Sequence, residues 1–112
     1  MTEYCIYVIE LNKNVLKDKK FREANPDYKE GKPCVYVGSS AKTPEKRFEE
    51  HITGARNKRG KLYNKYANEH GERLKPGLYR SHNPMSSRKK AEKMEEEKAR
   101  RLRKRGYAVW QN

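Results

Sequence analysis

Two short apolar segments share nearly the same sequence, and they constrain the fold more than any other feature of this chain. Residues 5–8 read CIYV and residues 34–37 read CVYV. Residues 3–11 carry β-branched and aromatic side chains in both alternating sets, which predicts a strand covered on both faces. Residues 33–38 predict a second strand that ends at Gly38. If these strands pair, their tyrosines occupy equivalent positions on neighbouring strands.

A helix follows over residues 42–54. Thr43 is suited to cap its N-terminus, and Gly54 is suited to end it. Phe48 and Ile52 are four residues apart, so we expect them to form the inward stripe.

A longer helix closes the chain. Ser86 or Ser87 caps its start, and the helical pattern runs through Arg105 to Gly106. The segment that follows, YAVW at 107–110, has the composition of a strand.

The remaining segments complete an α/β fold in one domain spanning 1–112. Residues 62–71 have helical spacing, and 73–80 are expected to supply a short third strand. Residues 12–33 form a charged insertion too long for a tight hairpin, expected to be held by its aromatic side chains. Residues 56–61 form a basic loop. We therefore predict a small, mainly antiparallel three-stranded sheet flanked by helices.

The charge balance indicates a polyanionic partner. The chain has 28 Lys and Arg against 15 Asp and Glu, a net charge of +13. Each phosphate that such a surface neutralises releases counterions, so nucleic acid, above all DNA, is the expected partner. An acidic membrane surface is the weaker reading, because no basic helix shows a broad apolar face.

Several other classes of protein are disfavoured. No apolar stretch has the length of a membrane span, and the N-terminus lacks the pattern of a signal peptide. We therefore expect a cytoplasmic protein that keeps Cys5 and Cys34 reduced. The cysteines and histidines do not have the spacing of a zinc site.

A carboxylate in the last helix breaks its apolar stripe. Glu95 falls on the same side of the helix as Ala91 and Leu102. Burying a carboxylate is costly unless it is paired or binds a metal. Pairing with Lys98 or with a buried arginine is the structural alternative.

The first helix presents a related pair of side chains. Arg47 precedes His51 by one turn, so the two share an edge beside the expected inward stripe. An ordinary surface arginine is the alternative for Arg47 considered alone.

In this order the residues form a known pattern, because the sequence resembles the GIY-YIG nuclease superfamily. Residues 5–7 correspond to the family's first motif, and residues 36–38 to its second. The helical arginine of the family matches Arg47, and His51 follows one turn later. The family's late-helix glutamate matches Glu95. The resemblance spans nearly the whole chain and is closest to small stand-alone bacterial members.

Two features depart from the family pattern. Cys5 replaces the first glycine, and the insertion at 12–33 makes the interval between the motifs roughly twice that of many members. The role of the insertion is open.

The resemblance implies a divalent-metal-dependent endonuclease that hydrolyses DNA phosphodiester bonds. It implies one Mg²⁺ or Mn²⁺ per site, held by Glu95, and an Arg47 that stabilises the phosphate. Tyr7 and Tyr36 are joint candidates for the group that positions or activates water, with His51 beside them. A tyrosine needs cationic neighbours to lower its pKa for that role. We expect these groups to converge around one ion-binding hollow.

Substrate contacts are expected from two further segments. One is the turn after the second strand and the other is the basic loop, and their candidate residues are Gly38, Ser39, Ser40, Arg56, Lys58, Arg59 and Lys61. The loop cations are suited to contact phosphates rather than bases. The basic run at 100–105 could do the same or could be a solvated helix face.

Two other functions remain open. One is a non-catalytic nucleic-acid-binding module on the same scaffold. The other, supported by charge alone, is a structural protein associated with ribosomes. The sequence does not determine the oligomeric state, the biological substrate or its specificity.

Overall fold

A computed structural model describes residues 2–111, and a four-stranded mixed sheet forms its centre. The strands are β1 (Cys5–Leu11), β2 (Cys34–Ser40), β3 (Gly71–Leu74) and β4 (Ala108–Gln111). The α-helices are α1 (Lys19–Glu23), α2 (Pro44–Thr53), α3 (Lys65–His70) and α4 (Arg88–Lys104). Short 3-10 helices cover Lys13–Lys17, Pro76–Leu78 and Arg80–His82. The α/β class predicted from the sequence is confirmed.

The two similar segments are the central pair of strands. β1 and β2 run antiparallel, with Tyr7 opposite Gly38 and Ile9 opposite Tyr36. Because side chains alternate along a strand, this register places both tyrosines on the same face of the sheet. The expectation that they occupy equivalent positions is confirmed.

The predicted number of three strands is wrong, although two of the three strand pairings are antiparallel. The order is β3-β1-β2-β4, and β4 pairs parallel with β2, so the sheet is mixed. A parallel partner needs a long crossover connection, and the connection from β2 to β4 contains α4. The composition at 107–110 indicated a strand, but it did not indicate that this strand would pair in parallel with β2.

The third strand lies earlier than predicted. It spans Gly71–Leu74, whereas the expected strand at 73–80 centred on Leu78 and Tyr79. Pro76 begins a 3-10 helix, since proline has no backbone N–H for a sheet.

The inward face of α2 also differs from the prediction. Ile52 is 40% exposed, whereas His51 and Pro44 are buried. The inward side is therefore rotated towards Arg47 and His51, and Phe48 packs at its margin. Thr43 and Gly54 cap the helix as predicted.

α4 packs its predicted stripe against the sheet. Ser87 caps the helix, and Ala91, Glu95 and Leu102 are buried. The buried position of Glu95 is confirmed. α3 begins later than the helical spacing from 62 indicated, after the Asn64 cap.

The insertion packs against the body of the protein. Phe21 is completely buried and contacts the rings of Tyr66 and Trp110. The expectation that aromatic side chains hold this segment is confirmed for Phe21.

Within residues 2–111, none of the helices combines the length and apolar composition needed to cross a bilayer.

Candidate active site

The two tyrosines and His51 form a buried cluster between α2 and the central strands. The Tyr7 hydroxyl and Nε2 of His51 are 2.9 Å apart, a hydrogen-bonding distance. The ring centroids of Tyr7 and Tyr36 are 6.1 Å apart, and His51 lies edge-on to Tyr36. All three side chains are at most 2% exposed. The structure thus brings together three residues that the sequence analysis selected.

Gly38 provides the space for this arrangement. A Cβ at this position would lie 2.5 Å from the Tyr7 hydroxyl oxygen and 2.9 Å from a ring carbon of Tyr36. Such distances are well below van der Waals contact. The Tyr-x-Gly pattern of residues 36–38 therefore has a local steric cause, because the Tyr7 side chain covers the glycine on the neighbouring strand.

His51 is uncharged at neutral pH. Burial and the nearby Arg47 guanidinium lower its pKa to about 4. Its Nδ1 is buried without a hydrogen-bond partner within residues 2–111. In the tautomer with the proton on Nδ1, Nε2 accepts the hydrogen bond from the Tyr7 hydroxyl.

The Tyr7 phenol is correspondingly hard to ionise. Burial and the neighbouring Tyr36 raise its pKa well above 10.0, although Arg47 acts in the opposite direction. Since His51 is neutral, it adds no positive charge that would lower the pKa. Arg47 lowers this pKa, as expected of a cationic neighbour, but the effect of burial is larger.

Arg47 is held at the edge of the same cluster by three contacts. Its Nη2 donates to Ser40 Oγ at 3.0 Å, and its guanidinium lies 4.0 Å from the ring centroid of Tyr63. Its Nε is 3.5 Å from Oε1 of Glu50, an ion-pair distance that does not meet hydrogen-bond geometry. A planar guanidinium fixed in this way is pre-organised to bind a phosphate oxygen.

Glu95 lies in a second cluster, where neutral side chains hold its carboxylate. Ser39 Oγ donates to Oε1 at 2.8 Å, and Gln111 Nε2 donates to Oε2 at 2.9 Å. Pairing with Lys98 or a buried arginine is not observed among residues 2–111. Glu95 is 7% exposed, and burial raises its pKa although both hydrogen bonds oppose the shift.

A cavity of about 350 Å³ opens beside this carboxylate. Its lining is polar and consists of Ser39, Arg88, Glu92, Glu95, Glu96 and Gln111. Within residues 2–111, no group of three or more histidine, cysteine or acidic side chains is arranged to hold a metal ion. With Glu95 as a single carboxylate ligand, the only metal compatible with this donor set is a hard cation that retains most of its water. Each Glu95 oxygen keeps a further lone pair for such a ligand.

The two clusters occupy opposite faces of the sheet and meet at the end of β2. Ser39 bonds Glu95 and the adjacent Ser40 bonds Arg47, in keeping with the alternation of side chains along a strand. The Glu95 carboxylate also contributes to the raised pKa of Tyr7. The expectation that these groups converge around one ion-binding hollow is therefore wrong. They form two neighbouring clusters that share β2, because Ser39 and Ser40 point to opposite faces of the sheet.

The basic loop lies apart from both clusters, after α2. Asn57 organises it by accepting from the backbone N–H groups of Arg59 and Lys61. Arg56 donates to the carbonyl of Gly60. All four cations are exposed.

Three residues of these clusters escaped the sequence analysis. Glu50 could have been found, because it lies one turn after Arg47 on the same helix. Tyr63 reaches Arg47 from the segment before α3, and Gln111 reaches Glu95 because β4 pairs with β2. Neither of these long-range contacts has a local signal in the sequence.

Comparisons with protein-family models, with curated proteins and with solved structures each find no match for this chain. The resemblance to GIY-YIG nucleases therefore rests on the residues described above.

Proposed function

We propose that this protein is a GIY-YIG-type endonuclease that hydrolyses phosphodiester bonds in DNA with one Mg²⁺ or Mn²⁺. The observation that carries the proposal is the buried Glu95 carboxylate, which faces a polar cavity. Glu95 is bonded to Ser39, and Arg47 is bonded to the next residue of β2, Ser40. A protein that merely binds nucleic acid has no need of an inward-facing acid. The net charge of +13 favours a nucleic-acid substrate.

Glu95 is the residue proposed to hold the metal. Ser39 and Gln111 fix its two oxygens, so the carboxylate is oriented before a ligand arrives. A bound divalent ion would neutralise charge on the scissile phosphate and stabilise the leaving oxygen. Because a ligand must be ionised, the raised pKa of Glu95 predicts weaker metal binding in mild acid.

Arg47 is proposed to bind a non-bridging oxygen of the same phosphate. Tyr63 and Ser40 hold the guanidinium at the end of β2. A charge-assisted hydrogen bond from this position would strengthen as negative charge develops in the transition state.

Tyr7 and His51 are proposed to position the attacking water. The high pKa of Tyr7 keeps its hydroxyl protonated, so the oxygen can accept a hydrogen bond from water while its proton is shared with Nε2 of His51. The neutral imidazole is then the group able to take up a proton. Tyr36 packs beside both rings and remains a joint candidate for this role.

The remaining substrate contacts are proposed at the end of β2 and at the basic loop. β2 extends to Ser40, so the predicted end of this strand at Gly38 is wrong. Ser39 and Ser40 are the residues proposed to approach the phosphate, whereas Gly38 is buried under the Tyr7 side chain and does not have the phosphate contact expected from the sequence. The loop cations at 56–61 are exposed and free of the two clusters, so they can follow the DNA backbone.

A cleavage assay with one matched pair of variants tests the proposal. Supercoiled, branched and single-stranded DNA would be incubated with Mg²⁺ or Mn²⁺, with EDTA as the control. Glu95→Gln keeps the shape of the side chain, and we expect it to lower the cleavage rate about a thousandfold. Glu92→Gln removes an exposed acid from the same cavity and should retain most of the activity. Intact DNA in every combination of substrate and metal would contradict the proposal.

A non-catalytic DNA-binding module is the second candidate. The observation that favours it is that Glu95 is the only buried acid among the described residues, with no second protein ligand arranged around it. This alternative predicts salt-sensitive DNA binding that is the same in Glu95→Gln, with no metal-dependent cleavage by either protein.

A further inference from the structure

A second cavity lies at the C-terminal end of α4 and is lined mainly by cations. Its volume is about 380 Å³, and its lining residues are Asp27, Lys29, Arg100, Arg103 and Lys104. We call it the basic cavity. Four of its five side chains carry positive charge, and two of the five come from the insertion at 12–33.

The cations of the basic cavity have no acidic partner. Within residues 2–111, none of the four has a nitrogen within 4.0 Å of a carboxylate oxygen. The adjacent Arg101, by contrast, pairs with Glu97 on another side of the helix. Like charges gathered around one concave surface repel each other, so an anion bound there would lower their free energy.

Arg103 is fixed in place as the wall of this cavity. Its Nε donates to Oδ1 of Asn25 at 3.2 Å, and its Nη2 donates to the carbonyl of Val109 at 2.9 Å. The side chain is partly buried, and burial lowers its pKa. A guanidinium held by two hydrogen bonds loses little further freedom when it binds a ligand.

Asn25 joins the insertion to the rest of this wall. Its side chain is buried and bonds both the N–H and the carbonyl of Val109, as well as the carbonyl of Phe21. Lys29 is fixed nearby, since its N–H donates to the carbonyl of Gly106 and its aliphatic chain lies against that glycine. The insertion therefore supplies a rigid half of the cavity.

The basic cavity and the Glu95 cavity lie along the same side of α4. Glu96 lines the Glu95 cavity, and Arg100 and Lys104 line the basic cavity. Their spacing of four residues places all three in one row on the helix surface. Arg103 lies two turns beyond Glu95, roughly 12 Å along the axis, which is about three to four nucleotides of one DNA strand.

We propose that the basic cavity binds a backbone phosphate of the DNA substrate a few nucleotides from the bond positioned at Glu95. The inference rests on the proposed function for the identity of its ligand. It gives the insertion a role in substrate binding, with Lys29, Arg100 and Lys104 as phosphate donors around a fixed Arg103.

Binding of a short fluorescent DNA duplex, measured by anisotropy in EDTA over a range of salt, tests the inference. The cavity variant is Arg100→Gln with Lys104→Gln, both exposed, so the fold should be retained. The control is Lys19→Gln with Arg101→Gln, which removes the same charge from side chains that are 82% and 59% exposed. We expect about tenfold weaker binding for the cavity variant, and a salt slope smaller by about one. The control should bind within about threefold of the unaltered protein.

The outcomes separate this inference from the proposed function. If both double variants bind alike and the salt slope does not change, the basic cavity is not a phosphate site, even when Glu95→Gln abolishes cleavage. If the cavity variant binds weakly but no DNA is ever cleaved, the phosphate site stands and the enzymatic function falls. Equal melting temperatures for the two double variants would show that a binding difference is not caused by unfolding.

Discussion

On one face of the sheet, burial keeps His51 uncharged beside Tyr7 and Tyr36. On the other face, burial raises the pKa of Glu95, which lines a polar cavity. The first cluster is buried and packed by aromatic rings. The second holds Glu95 between two neutral donors. Desolvation thus lowers the pKa of His51 and raises that of Glu95, because in each case it disfavours the charged form. Desolvation therefore has opposite effects on the pKa values of the two faces.

The two faces should therefore respond to acid with opposite signs. His51 has a folded pKa of about 4 against 6.5 in the unfolded chain, so its contribution to stability is present above pH 6.5 and is lost as the pH falls towards 4. We expect the loss to reach about 3 kcal/mol of unfolding free energy. Urea unfolding at pH 7 and at pH 4 measures the decrease in unfolding free energy between the two pH values. We expect this decrease to be smaller by about 3 kcal/mol in His51→Gln than in the unaltered protein. An equal decrease in both proteins would contradict a neutral, buried imidazole.

Glu95 provides the opposite half of this test. Its folded pKa is raised, so its contribution is present below the unfolded value of 4.5 and is lost as the pH rises through the folded pKa. The Glu95→Gln protein should therefore lose stability more steeply with acid than the unaltered protein.

Adding a methyl group to Gly38 should disrupt the aromatic face. A Cβ there would overlap the Tyr7 hydroxyl, and we expect Gly38→Ala to cost about 2 kcal/mol of unfolding free energy and to impair cleavage. Gly77→Ala is the control, because a Cβ at position 77 would meet nothing within 4 Å. Thermal unfolding of both variants measures the difference. Similar melting temperatures would mean that Tyr7 can move away at little cost.

Removing a hydroxyl should have a smaller effect that depends on its partner. Tyr7→Phe leaves Nε2 of His51 without its hydrogen bond, which we expect to cost about 1 kcal/mol. The Tyr79 hydroxyl is buried without a partner within residues 2–111, so Tyr79→Phe should be neutral or stabilising. Cleavage should decrease in Tyr7→Phe alone. If the two variants were equally stable, the Tyr7–His51 bond would contribute nothing measurable.

Local patterns in the sequence predicted most of the elements but not how they are assembled. The capped helices at 44–53 and 88–104 and the two similar strands were found because their signals lie within a few residues. β4 was recognised as strand-like, yet its parallel pairing with β2 depends on a crossover that no local pattern encodes. The inward face of α2 was misjudged because apolar spacing favoured Ile52, while hydrogen bonding and packing bury His51.

The candidate site shows the same division. Glu95 was found because an acid inside an apolar helical stripe is a local anomaly. Gln111 and Tyr63 were not found, because they reach the clusters through the sheet order and the path of the chain before α3. The raised pKa of Tyr7 could not be predicted, because the degree of burial becomes known only with the packing.

The amide of Asn25 has a consequence for protein engineering. The segment between the first two strands resembles a dispensable loop that a designer would remove to obtain a shorter protein. Excising it would leave the N–H of Val109 without its side-chain acceptor, remove one of the two donors to the Val109 carbonyl, and take away one of the two hydrogen bonds that hold Arg103. A shortened version would need a replacement side chain at that point before it could be expected to fold.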